Sequence, residues 1–89
     1  MLRVTKAASQ YIRSVRDAYA ADPSAGARFV RSAGGFGLTF TDAPAPGDQI
    51  LSGPYLPLYV PDDLATALAS AIIDVRREDG VSKLVLRPQ

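Results

Sequence analysis

The 89 residues contain no cysteine and no histidine. Disulfides, zinc sites of the usual kind, thiolate-held iron–sulfur clusters, cysteine nucleophiles and the Ser-His-Asp arrangement are excluded together. No basic block is present: ten Lys and Arg face nine Asp and Glu, mixed along the chain. Nucleic-acid binding, which wants clustered charge on one face, is not expected. No run approaches the ~18 apolar residues of a membrane span, and Met1 to Lys6 has no apolar segment of signal-peptide length, so the expected address is cytoplasmic with no membrane partner. With 47% hydrophobic and 21% charged residues, the composition is that of one soluble globular domain over residues 1–89. Such a chain buries somewhat over half of the surface it exposes when unfolded, so its margin of stability is small and pairing with a second copy would help.

What is present centres on Ala27 to Thr41. Two β-type runs, Ala27 to Ser32 and Phe36 to Thr41, flank small residues around Gly34, Gly35 and Gly37. Phe36, Leu38 and Phe40 share one face at period two. The glycine stretch matches neither G-x-G-x-x-G nor the P-loop and precedes a strand, so it reads as a structural turn with glycines at positive φ. Before it, Thr5 is a candidate N-cap. Ala8, Tyr11, Ile12, Val15, Ala18 and Tyr19 make a helical stripe ending near Ala21, with Arg13 and Asp17 spaced to pair. Asp22 to Gly26 is a turn, and the prolines and glycine of Asp42 to Asp48 make a loop.

Gln49 to Ser52 reads as a short strand and Gly53-Pro54 as a turn. Tyr55 to Val60 follows as a strand, with Leu56, Leu58 and Val60 on one face and Tyr55, Pro57 and Tyr59 on the other. Pro57 cannot donate to a ladder, so that strand is expected at a sheet edge or with that amide position facing outward. Tyr55 and Tyr59 are candidate partner anchors, or else are covered by a helix of their own chain. Pro61-Asp62-Asp63 starts a helix. Residues 62–79 then admit two readings: one helix to Asp79 capped by Gly80, or a short helix followed by a strand from Ile72 to Arg77, an Asp79-Gly80 turn and a strand from Ser82 to Arg87. The acidic pairs Asp62/Asp63 and Glu78/Asp79 lack the spacing of a cation loop. The general-base candidates are the carboxylates, Lys6 and Lys83, and none stands at a defined spacing from a nucleophile, so no catalytic residue is assigned.

The order of these features resembles the HesB-like, or A-type, iron–sulfur cluster carrier domain. The resemblance rests on Val4-Thr5-Lys6-Ala7-Ala8 leading to Ile12, Arg28 to Arg31 running into Ala33-Gly34-Gly35-Phe36-Gly37-Leu38, and Phe40. It continues with Asp48, the Leu56 to Val60 strand, Leu64, and Ile73-Asp74-Val75. It implies an α+β fold: a small mixed and antiparallel β-sheet assembly with two helices, in the order strand, helix, strands, helix, hairpin. It also implies the short-helix reading of 62–79. The family ligates iron or a cluster through a cysteine in the glycine loop and a Cys-x-Cys pair near the C-terminus. Gly35 stands at the implied loop position, and the sequence runs to Leu86-Arg87-Pro88-Gln89 without a counterpart of the pair.

The resemblance therefore implies a non-catalytic, cysteine-less relative without cofactor or metal site, a protein-interaction or dimerising module, and a homodimer. Two alternatives stand beside it. One is a residual iron or iron–sulfur role with ligands from carboxylates or a partner protein. The other is a small-molecule binder using the glycine-loop amides.

Overall fold

Thr5 starts the first helix as its hydroxyl predicts. In the computed structural model, which describes residues 2–19, 22–32, 35–52 and 55–89, Thr5 Oγ1 accepts a hydrogen bond from the Ala8 amide at 3.1 Å. This satisfies one of the first turn's free donors. A two-residue strand, β1 (Arg3–Val4), precedes the helix α1 (Lys6–Tyr19).

The apolar stripe holds for the first turns and then departs from expectation. Ala8 and Ile12 are fully buried and Tyr11 and Val15 half-buried. Tyr19, however, is 83% exposed, and the buried position one turn after Ile12 belongs to Arg16. Arg16 can be there because its Nη1 donates to the Ala25 carbonyl at 3.2 Å and its Nε and Nη2 both donate to Asp17 Oδ1 at 3.1 Å. The expected Arg13–Asp17 pair is replaced accordingly. Asp17 serves Arg16, and the Arg13 guanidinium lies 4.5 Å from the centre of the Tyr55 ring.

The strands form two sheets. β2 (Gly26–Ser32), β3 (Gly35–Thr41), β4 (Gln49–Ser52) and β5 (Pro57–Val60) make a four-stranded sheet in the order β3-β2-β5-β4. A three-stranded sheet has the order β1-β6-β7, with β6 (Ala71–Glu78) and β7 (Val81–Pro88). The β2–β3 hairpin pairs antiparallel from Gly26↔Thr41 to Ser32↔Gly35, so Ala27, Phe29 and Arg31 share a face with Phe40, Leu38 and Phe36.

Pro57 does not mark an edge, because β5 lies between β2 and β4. It is the first residue of its strand, and β2 pairs with β5 only at Ala27↔Leu58 and Arg28↔Tyr59. Its missing N–H therefore removes nothing from that ladder. Tyr55 and Leu56 form a bend ahead of the strand. The expected Gly53-Pro54 turn lies outside the described residues.

The one-helix reading of 62–79 is overturned. Helix α2 (Asp62–Ala67) is six residues long, and β6 and β7 form an antiparallel hairpin from Ala71↔Pro88 to Glu78↔Val81. Asp79 and Gly80 both take positive φ, 51° and 78°, as a tight two-residue hairpin turn requires. The β-branched cluster Ile72, Ile73 and Val75 packs better on a pleated surface than in a helix.

The core is one cluster fed by every layer: Ala8 and Ile12 from α1, Ala27 and Phe29 from β2, Leu56, Leu58 and Val60, Leu64 and Ala65 from α2, and Ile73 from β6. Phe36 closes it from β3, its ring edge-on to Phe29 at 5.6 Å.

Candidate functional site: the glycine hairpin and its cleft

The β2–β3 hairpin carries the stretch that the sequence marks as central. Ala33 and Gly34 fall outside the described residues, so the expectation for the loop's tip concerns only its flanks. Gly35 forms the last β3 pair, with Ser32. Gly37 does not take the positive φ expected of a turn glycine; it sits within β3 opposite Val30. A methyl group placed there would meet only Val30 Cγ2, at the ordinary contact distance of 3.7 Å. Among the described residues, nothing requires glycine at this position.

Beyond β3 lies a half-open cleft of about 250 Å³, lined by Tyr11 and Val15 of α1, Phe36, Gly37 and Leu38 of β3, and Lys83 and Leu84 of β7. It lies where the two sheets part, since β3 and β7 are each the outermost strand of their own sheet. The Tyr11 hydroxyl donates to the Ser82 carbonyl at 3.1 Å, fixing α1 against β7 beside the cleft. The walls are mainly apolar.

The two tyrosines expected on a common outward face are separated. Tyr59 is buried, 6% exposed, and its ring lies against the backbone of Gly26: a methyl group on Gly26 would stand 2.7 Å from Tyr59 Cε2 and 2.9 Å from the Pro57 carbonyl oxygen. Tyr55 is half-buried, and its hydroxyl accepts a hydrogen bond from Gln10 Nε2 at 2.7 Å. For Tyr59, and in part for Tyr55, cover by the same chain is what the structure shows.

The ionisable groups are engaged in holding elements together. Asp48, whose side chain is 1% exposed, accepts from Arg28 Nε at 2.9 Å and Nη2 at 3.1 Å, and from the Ala45 amide at 2.9 Å. The Arg28 guanidinium holds the Asp48 carboxyl below the usual carboxylate range, against the opposing effect of burial. Asp74 Oδ1 accepts from the Thr5 hydroxyl and the Val75 amide, each at 2.8 Å. These bonds, the Thr5 hydroxyl first, lower its carboxyl pKa. One side chain thus ties the cap of α1 to β6, a role that spacing alone does not signal. Asp63 pairs with Arg31 at 3.3 Å. Glu78 bridges Arg76 and Lys83 at 3.1 and 3.3 Å, and both cations keep its carboxyl below the ordinary value. Lys6 is exposed at the start of α1. Among the described residues, no three acidic groups converge on a point where a metal ion could be held, and no helix is long and apolar enough to cross a membrane.

Comparison with known proteins gives a fold and no closer kinship. No family model and no curated protein matches the sequence. Among solved structures, the chain is similar to Escherichia coli SufA, a protein involved in biosynthesis of iron–sulfur clusters. The two are 22% identical, with a TM-score of 0.78 over 98% of this chain and 84% of that one. It is also similar to IscA with its [2Fe-2S] cluster, at 15% identity and a TM-score of 0.72 over 99% of this chain and 85% of that one. A cluster is held by thiolates, with imidazole as the occasional substitute, and this sequence supplies neither; its own residues do not fit the group. The chain has the HesB-like α+β fold of the A-type iron–sulfur cluster carriers, with no cysteine in its 89 residues.

Proposed function

We propose that this chain is a non-catalytic interaction module built on the carrier fold, working as a homodimer in the cytoplasm and ligating no cluster through side chains of its own. One observation carries the reading: the fold extends over 98% of the chain, while the donor atoms that a cluster needs are absent from all of it. Fold and site are separable, and here the architecture is kept where the ligating chemistry is not. Tyr55, the more exposed of the two tyrosines, stays in the proposal as a contact residue; Tyr59 supports the sheet beneath it.

The test is anaerobic reconstitution of the purified protein with ferrous iron and sulfide, followed by size exclusion with absorbance and metal analysis. A colourless, metal-free protein peak eluting as a dimer is expected. Stoichiometric iron travelling with the protein would overturn the reading, and Asp-to-Ala substitutions would then locate the ligands.

A further inference from the structure

Resting on the reading of the chain as a dimerising module, we propose that a second copy adds along the free edge of β3, strand antiparallel to strand, and covers the cleft beside it. The two sheets have four outer strands: β1, β7, β3 and β4. Exposed edges are normally protected by shortness, charge or proline, because their unpaired backbone groups template further pairing. β1 has two residues and β4 has four. β7 carries Lys83, Arg87 and Pro88. β3, Gly-Phe-Gly-Leu-Thr-Phe-Thr, is seven residues long with no charge and no proline. It is the one unprotected edge of any length among the described residues.

The composition of β3 points to a second copy as the occupant. A two-fold antiparallel pairing centred on Leu38 sets Gly37 opposite Thr39 and Phe36 opposite Phe40 of the other copy, so no charge meets its like. The same operation on β7 centred on Val85 would oppose Lys83 and Arg87, which is unfavourable. A neutral strand offers no charge complement to an acidic or basic partner, and an isologous contact needs none. The strand pair alone falls short of the ~800 Å² per partner of a standard interface. The cleft adds a small apolar contact beside the strand, where Tyr11, Val15 and Leu84 line it with Phe36, Gly37 and Leu38, and the pairing is that of a weak, concentration-dependent dimer. Gly37, which no described residue of the chain requires to be glycine, lets that strand approach closely.

Sedimentation velocity on Thr39→Lys, with Ile50→Lys on the β4 edge as control, tests this. Thr39 and Ile50 are both exposed, and circular dichroism checks that each variant folds. A charge on the pairing edge is expected to weaken the dimer at least about tenfold, a change of ~1.4 kcal/mol, while the control leaves it unchanged. Because the chain has no other thiol, a spin label on Thr39→Cys reports the contact directly and decides the matter if Thr39→Lys does not fold. Two labels on neighbouring strands are expected, against a much longer separation for Ile50→Cys. A wild-type protein that stays monomeric at every concentration overturns both the dimer reading and this edge. A wild-type dimer indifferent to Thr39→Lys, weakened by Ile50→Lys, or with its Thr39 labels far apart, overturns the edge and leaves the dimer reading standing.

Discussion

Arg28 and Asp48 show how much of this domain rests on single side chains. Asp48 is closed off from solvent at the end of a proline-interrupted loop, and its two oxygens accept from Arg28 and from the Ala45 amide. Removing its charge leaves a buried site one acceptor short and a guanidinium without its partner. Asp48→Asn should cost about 2 kcal/mol, roughly 10 °C in Tm for a domain of this size, read by thermal unfolding at pH 7. The pH dependence has a fixed sign. The folded carboxyl titrates below its unfolded value of about 3.9, so its stabilisation is complete above that value. It is lost as pH falls from there through the lower folded pKa. The Tm difference between wild type and Asp48→Asn should therefore be constant from pH 7 to 5 and shrink below about pH 4; a difference that persists undiminished at pH 2 would assign the effect to packing instead.

Among the strands, two glycines have opposite standing. Gly26 opens β2 beneath the Tyr59 ring, where a methyl group would press on a ring carbon and a backbone oxygen. The backbone cannot swing aside, so Gly26→Ala should destabilise by about 1–3 kcal/mol. Gly37 in β3 meets no such obstacle. At concentrations where the protein is monomeric, Gly37→Ala should be neutral or gain about 0.5 kcal/mol in denaturant unfolding, by restricting the unfolded chain; a loss of Gly26→Ala size there would show an internal constraint at Gly37. The contrast also marks where sequence reading stops. Thr5 as N-cap, the alternation of Phe36, Leu38 and Phe40, and the Asp79-Gly80 turn were legible because each is decided by neighbours within a few residues. The choice between a long helix and a hairpin in 62–79 was not settled by periodicity and needed the family resemblance. The burial of Arg16 depends on a carbonyl nine residues on, and the burial of Tyr59 on a missing side chain at Gly26. The interior place of β5 depends on a parallel pairing of two residues with β2. Such contacts close through the tertiary structure and leave no local period. The cleft was illegible for the same reason: it exists only where residues of α1, β3 and β7, far apart in sequence, come together.

For the whole molecule, small size and an unprotected edge belong to one argument. An 89-residue domain with a radius of gyration of 12.3 Å leaves much of its apolar surface near solvent, and its stability is the small difference of large terms. Phe36, Leu38 and Phe40 pack on the central cluster, and each keeps part of its surface in solvent. A second copy that covers them stabilises the folded state by mass action, since the unfolded chain has no such edge to offer. At a protein concentration of 100 times the dissociation constant, this linkage is worth about 2.7 kcal/mol by the single-site relation. Across two decades of concentration the wild-type Tm should rise by several degrees, and calorimetry at the two ends of that range measures it. In Thr39→Lys the rise should start at a concentration at least about tenfold higher and be smaller over the same range, and the curve should meet the wild-type curve at the dilute end. That meeting point separates the two possible origins of a lower Tm, because a substitution that merely damaged the monomer would displace the curve at every concentration. A flat wild-type curve would mean that the 89 residues hold their fold without the edge being covered, and the neutrality of β3 would then need another cause.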